Sequence, residues 1–205
     1  MVQFLAAHVQ LVNAALNAAM IIIWFVYLQI FLISHRRQVR SLIHIDLGTA
    51  EGSQKRCLVT NLSAQAIYVQ GIAADLGQDG HTSRMIVTER EEIGLDDVED
   101  PMARTNRGTL QPGETRDIGS LEDLIRRAQI RLDEEWTSDQ IDNVTITVVA
   151  ISGQVERIIG ASKNFYVDRG ASGLQFSPEN ILTQQIKPRQ TREEFNRLLR
   201  EWKYD

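Results

Sequence analysis

The segment that most constrains this chain is an uncharged apolar stretch near its N-terminus, residues 11–33 (LVNAALNAAMIIIWFVYLQIFLI). It contains no Asp, Glu, Lys, Arg or His, and its strongly polar residues are Asn13, Asn17 and Gln29. As an α-helix it would be about 34 Å long, and the hydrocarbon core of a bilayer is about 30 Å thick. Because a helix satisfies its own backbone hydrogen bonds in lipid, the segment predicts one transmembrane helix.

The two flanks of this segment differ in charge. No Lys, Arg, Asp or Glu precedes it, whereas Arg36, Arg37 and Arg40 follow it closely. Positive residues stay on the cytoplasmic side, where they pair with anionic lipid headgroups. We therefore expect a single-pass protein of the inner (cytoplasmic) membrane, with its N-terminus outside, residues 41–205 in the cytoplasm, and the three arginines binding headgroups. A cleaved signal peptide is disfavoured, since there is no charged segment before the apolar stretch and no small-x-small site after it.

Composition limits what the remaining residues can be. Residues 41–205 carry 19 basic and 27 acidic side chains. This acidic balance argues against a nucleic-acid surface and against a domain lying flat on an anionic membrane. A segment of this length is one ordinary domain with room for a core. The single Cys57 has no partner for an intrachain disulfide, and its apolar neighbours favour a small buried side chain over a reactive thiol.

Short β-type segments separated by turns dominate residues 41–170. Val144, Ile146 and Val148 alternate with Thr145 and Thr147, which predicts a strand with one buried face. An Asp-Gly pair between two other segments predicts a hairpin. The expected strands are 41–47, 56–62, 66–72, 84–88, 115–118, 144–148, 155–159 and 164–167. The fold class predicted is a single N-terminal transmembrane α-helix followed by a mainly-β, immunoglobulin-like antiparallel sandwich, although the Cys…Trp…Cys spacing of antibody domains is absent.

Two helices are expected besides the anchor. The first is inserted in the sandwich after a capping signal at Ser120, with its arginines, Arg126, Arg127 and Arg131, facing solvent or acidic neighbours. Its apolar side is formed by Leu121, Leu124, Ile125, Ala128 and Leu132. The second is a C-terminal amphipathic helix that follows a capping box at residues 191–194.

The apolar stripe of the C-terminal helix consists of Phe195, Leu198, Leu199 and Trp202. Two interpretations stay open: the stripe packs on its own sandwich, or it docks in a groove of a partner. The expected organisation is an anchor with a basic juxtamembrane segment (1–40), a β-sandwich domain (41–170), and a loop with the C-terminal helix (171–205).

Signatures of chemistry are missing from the sequence. There is no glycine-rich phosphate loop, and the Asp75–Gly80 region has the wrong residues for a calcium loop. The histidines, His8, His35, His44 and His81, lack the spacing of metal ligands. His8 near the outer end of the anchor is either a ligand to a haem or a magnesium pigment or, the simpler interpretation, an interfacial histidine. We expect no enzyme activity, no cofactor and no small-molecule substrate.

The apolar segment also carries a pattern of its own. Residues spaced alternately by three and four form a seam along one side: Gln10, Asn13, Asn17, Met20, Trp24, Tyr27 and Phe31. The pairs Ala14/Ala18 and Ala15/Ala19 let a second helix approach closely. Amides within lipid need polar partners, so the seam predicts an interface with other transmembrane subunits. Tolerance of single amides near the outer leaflet is the alternative.

These features leave three function hypotheses. The favoured one is a non-catalytic accessory subunit of a larger membrane complex, such as a respiratory or photosynthetic assembly, in which the cytoplasmic sandwich bridges subunits. The second is a membrane-tethered binding or sensory module that recruits a soluble partner. The third is an enzyme with a cryptic site, which ranks last because no nucleophile, metal or cofactor signature is present.

Overall fold

A computed structural model gives the structure of residues 2–38, 41–49, 55–90, 101–130, 132, 136, 140–152, 157–170 and 173–186. The chain divides into two compact units, residues 1–40 and 41–205. Each unit is described by itself below.

The first unit is one helix, α1, which spans Val2–Gln38 without interruption. Its 37 residues correspond to about 55 Å of helix, so it extends the apolar segment at both ends. Between His8 and His35 it is long and apolar enough to cross a membrane, and every described side chain there is exposed. The predicted single N-terminal membrane helix is confirmed at this level of length and composition.

The second unit consists mainly of two antiparallel sheets, as predicted for a sandwich-like domain. The smaller sheet has the strand order β1-β2-β6, where β1 is Ile43–Thr49, β2 is Lys55–Asn61 and β6 is Thr115–Ser120. The larger has the order β10-β8-β7-β3-β4, where β3 is Ile67–Gln78, β4 is His81–Ile86, β7 is Asn143–Ser152, β8 is Arg157–Gly170 and β10 is Gln184–Ile186. β5 (Gly108–Leu110) pairs with β3, and β9 (Gly173–Pro178) pairs with β8.

The core lies between the sheets and draws on both of them. Ile45 of β1, Val59 of β2 and Ile118 of β6 belong to the same buried cluster as Ile146 of β7 and Phe165 of β8. Each of these side chains is at most 1 % exposed. The alternation of the β7 sequence thus buries the Ile146 face between the sheets, as predicted.

The β3–β4 hairpin closes through the dipeptide that predicted it. Asp79 and Gly80 have φ values of 50° and 79°, the left-handed region that two-residue hairpin turns require. The ladder around the turn pairs Gln78 with His81 and continues to Ala73 and Ile86. The hairpin turn, rather than an ion site, therefore accounts for this Asp-Gly sequence.

A helix, α2, spans Leu121–Gln129 within the domain. Ser120 caps its N-terminus, because its side chain accepts a hydrogen bond from the N–H of Asp123 at 3.0 Å. Arg126 is exposed and ion-paired with Asp123, but Arg127 is only 3 % exposed. The expectation that Arg127 faces solvent is wrong: its buried guanidinium donates to the carbonyls of Val87 and Ile118, and its charge also acts on the carboxylate of Asp123. A backbone carbonyl can accept a hydrogen bond from a buried guanidinium, and sequence periodicity does not reveal such an acceptor.

Two strand predictions also need correction. Residues 157–159 of the strand expected at 155–159 and the strand expected at 164–167 are parts of the single strand β8, since the residues between them pair continuously with β7. The loop expected after Gly170 contains β9 and β10, both paired with β8. The large sheet therefore continues past the boundary expected at residue 170. The C-terminal amphipathic helix lies outside the described residues.

Candidate functional site

The seam of α1 forms one continuous exposed strip. At 100° per residue its members fall within about 100° of arc, and Ile22 and Ile33 lie on the opposite side. Asn13 and Asn17 are exposed on this strip, whereas Gln29, the third amide of the apolar segment, lies on the opposite side of the helix. Trp24 and Tyr27 contact each other edge to face with ring centroids 6.1 Å apart, and Phe31 stacks on His35. The helix thus presents amides followed by a run of aromatic rings along one side, with Gln10 and Met20 also exposed on it.

The other predicted contact residues are only partly described. Arg36 and Arg37 belong to the last turn of α1, which fixes their place on the helix but not their side chains. Arg40 and the C-terminal stripe, Phe195, Leu198, Leu199 and Trp202, lie outside the described residues. Headgroup binding by the three arginines and docking by the stripe therefore stay predictions.

Cys57 is fully buried in the core, at 0 % exposure. Burial raises the pKa of its thiol to about 12, with a further contribution from the negative charge of Asp117. A thiol with such a pKa is protonated at neutral pH and is a poor nucleophile. The structure thus agrees with the expectation of a small buried side chain.

A buried lysine joins the two sheets at one edge of the domain. Lys163 lies on the inward face of β8, with 2 % of its side chain exposed, whereas the side chain of Asp46 on β1 is 57 % exposed. The Lys163 ammonium donates to Asp46 Oδ1 at 3.2 Å and to the carbonyl of Ile181 at 3.2 Å. It also lies 5.9 Å from the centre of the Phe165 ring. This cation was missed from sequence; its one signal is a lysine in phase with the apolar residues of β8.

Burial opposes ionisation of Asp46, but other interactions outweigh it. Desolvation alone would raise the pKa of this carboxyl, whereas hydrogen bonds from the Leu47 N–H and from Lys163 favour the charged form. The net result is a pKa below the usual value. Asp46 is therefore ionised at neutral pH and pairs with the lysine.

Next to this pair, a polar cleft of about 240 Å³ opens on the outward side of β8. Asn164 accepts a hydrogen bond from Thr145 and donates one to Glu179, which also accepts from the Tyr166 hydroxyl. The coulombic effect of Glu179 raises the pKa of Tyr166. These groups are hydrogen-bonded to one another. The cleft is lined by Thr145, Ser162, Lys163, Asn164, Glu179, Asn180, Leu182 and Gln184.

The histidines are distributed over three elements: His8 and His35 are on α1, His44 is on β1, and His81 is on β4. His44 Nδ1 is hydrogen-bonded to the Thr183 hydroxyl at 3.1 Å, which ties it to the domain's own structure. Among the described residues, no group of three His, Cys, Asp or Glu side chains is arranged to hold a metal ion.

Comparisons with known proteins add no family. No protein-family model and no curated protein matches this chain. A solved structure titled "Crystal structure of protein from Archaeoglobus fulgidus" is similar at 8 % identity and a TM-score of 0.17. That alignment covers 71 % of this chain and 92 % of the other, and its TM-score is too low to carry information about fold.

Proposed function

We propose that this protein is a non-catalytic accessory subunit of a larger membrane complex. In this proposal α1 packs against other transmembrane helices along its seam, and the β domain bridges subunits on the cytoplasmic side. The observation that carries the proposal is the exposure of Asn13 and Asn17 on the same side of a largely apolar helix.

The depth of Asn13 and Asn17 in the bilayer supports this argument. If Ile33 marks the inner boundary of the hydrocarbon core, Asn17 is 16 residues away, or about 24 Å. Asn13 is then about 30 Å away, at the outer boundary of a core about 30 Å thick. Asn17 thus lies inside hydrocarbon, where an amide without a partner is costly. A polar group on a second helix is the natural partner.

The strand order supports an immunoglobulin-like arrangement of the β domain as part of this proposal. β1 pairs with β2, and β2 with β6, in one sheet. β3 pairs with β7, and β7 with β8, in the other. Immunoglobulin-type sandwiches place strands A, B and E in one sheet and strands C, F and G in the other. Strands β1, β2 and β6 correspond to the first set, and β3, β7 and β8 to the second.

A membrane-tethered module that recruits a soluble partner is the second candidate. The acidic balance of residues 41–205 favours it, since a charged surface steers a complementary partner. The two candidates differ in what accompanies the protein out of the membrane. Mild detergent extraction followed by sizing yields a fixed set of membrane proteins for a subunit, and a lone chain or homodimer for a tether. The composition of a co-purifying set would identify the host, respiratory, photosynthetic or other.

The test of the seam is the double substitution Asn13→Leu/Asn17→Leu. It makes α1 more apolar, so membrane insertion is retained, but it removes two interhelical hydrogen bonds worth about 0.6 kcal/mol each on average. We expect a lower yield of co-purified partner in mild detergent. The matched control is Ile22→Leu/Ile33→Leu, which changes the opposite side of the helix and leaves the yield unchanged. Wild-type yield with the double Asn variant would refute the seam as the interface.

The proposed orientation has its own test. Gln3→Cys precedes the membrane segment and Asp79→Cys lies at the exposed β3–β4 turn. An impermeant thiol reagent added to intact cells should label the first variant and not the second, and the buried Cys57 contributes no background. The opposite labelling pattern would place the β domain outside.

A further inference from the structure

The outward face of the large sheet is unexpectedly buried. Val149 of β7 lies between Gly71 of β3 and Gly160 of β8, neither of which has a side chain to shield it. Val149 is nevertheless 4 % exposed, and Thr147, two residues along the same face, is 2 % exposed. The alternation of residues 144–148 predicts that Thr147 faces away from the core, which is correct, but Thr147 lies under other atoms rather than in solvent.

This face has the shape of a shallow trough with a floor of small residues. One cross-strand row consists of Gly71, Val149 and Gly160, and the next consists of Ala73, Thr147 and Ser162. Larger side chains border the floor: Ile86 on β4 is opposite Ala73, and Gln184 on β10 is opposite Ser162. A floor of small residues lets another element approach the sheet closely, as small residues do between packed helices.

The last described strand, β10, ends at the border of this trough. Ile186, the last residue of β10, is opposite Gly160, so its side chain lies at the end of the row that contains Val149. The segment that follows, residues 187–205, carries the predicted stripe of Phe195, Leu198, Leu199 and Trp202. From Ile186 to Phe195 is nine residues, which in extended form reach about 30 Å, more than the width of a four-stranded floor at about 4.8 Å per strand.

Charge favours the same placement. Residues 187–205 hold six basic and four acidic side chains, whereas residues 41–186 hold 13 basic and 23 acidic ones. The C-terminal segment therefore has a basic balance, opposite to that of residues 41–186, and it is attracted to the acidic body of the domain.

We propose that the apolar stripe of the C-terminal segment packs in the trough on the outward face of the large sheet, over Val149 and Thr147. The stripe is then an internal partner of the sandwich and not a hook for another protein. Of the two interpretations that the sequence leaves open, this assigns self-docking.

The experiment measures the reactivity of a cysteine at position 149. Val149→Cys in the full chain, in detergent, should react slowly with a maleimide. Adding Leu198→Ser/Trp202→Ser should raise the rate by about tenfold or more, because truncating buried apolar side chains loosens their contact. The matched control, Arg197→Ser/Glu201→Ser, changes the other side of a helix without altering net charge and should leave the rate low. Tyr166→Cys, on the same face and 46 % exposed, should react quickly in all three backgrounds.

Two results would overturn the proposal. Rapid labelling of Val149→Cys in the otherwise wild-type chain would mean that the face is open. Slow labelling that persists in the stripe variant would mean that another segment covers it. Cys57 monitors folding throughout, because it is buried in the core and should remain unlabelled in each variant.

Discussion

The ion pair between Lys163 and Asp46 leads to a quantitative prediction about which partner matters more. Lys163 is almost fully buried and Asp46 is more than half exposed. Removal of the lysine leaves a carboxylate that water can solvate. Removal of the carboxylate leaves a buried ammonium whose remaining described hydrogen-bond partner is the Ile181 carbonyl.

The expected free-energy costs follow from this asymmetry. Leaving a buried charge without its counter-ion costs about 3 kcal/mol, so Asp46→Ala should lower the free energy of unfolding by roughly that amount. Lys163→Met keeps an apolar stem of similar length and removes the buried charge, so its cost should be about 1 kcal/mol or less. In most exposed ion pairs, removing either partner has a similar effect on stability. In this pair, removing Asp46 should cost more than removing Lys163.

Cys57 provides the assay in the full chain. It is the single cysteine, it is fully buried, and it reacts with a thiol reagent only when the domain opens. At neutral pH, Asp46→Ala should speed its labelling by about 100-fold and Lys163→Met by about fivefold or less, since about 1.4 kcal/mol corresponds to tenfold. Equal acceleration by the two variants, or a larger effect of Lys163→Met, would refute the reasoning.

The pH dependence gives a second check on the same pair. The folded-state pKa of Asp46 is lowered, so the carboxylate contributes stability above its unfolded pKa near 3.9, and this contribution is lost as pH falls through the folded pKa. The difference in urea midpoint between wild type and Asp46→Ala should therefore be full at neutral pH and shrink below about pH 4. A difference that stays constant down to the acid limit would mean that Asp46 acts through packing rather than charge.

Two further predictions concern the backbone of the β domain. Gly119 has a φ of 115° and a Cβ there would lie 2.6 Å from the Arg127 guanidinium, so Gly119→Ala should cost about 3 kcal/mol by Cys57 labelling. Gly113→Ala, at a φ of 76° with open space around it, should lower the free energy of unfolding by only about 1 kcal/mol. Equal losses for Gly119→Ala and Gly113→Ala would mean that the contact with Arg127 does not contribute. The edge of β1 is covered by side chains, since Thr183 and Gln185 accept from the N–H groups of Ile45 and Ile43 at 2.8 and 3.1 Å. Thr183→Val/Gln185→Leu should therefore lower the free energy of unfolding by about 2 kcal/mol. A chain ending at Gly170 should show faster labelling of Cys57 than this variant. Unchanged labelling in the shortened chain would show that β9 and β10 are not needed for stability.

The sequence by itself determined the features that depend on local pattern. An uncharged run longer than the hydrocarbon core of a bilayer is thick predicts a long apolar helix, and α1 has the required length. Alternation in β7 and the Asp79-Gly80 turn likewise fix a strand and a hairpin, because a period of two and a positive φ are properties of neighbouring residues.

Tertiary structure decided what depends on residues far apart in the chain. Lys163 is buried because β8 places it beside Asp46, 117 residues away, and Arg127 is buried because α2 brings it to the Val87 and Ile118 carbonyls. The sequences of β9 and β10 lack clear alternation and therefore predict loop. Both segments are strands because they pair with β8. The burial of Thr147 on the outward face also depends on residues far apart in the chain. The alternation along a strand predicts which face a residue lies on, but it does not predict what packs on that face.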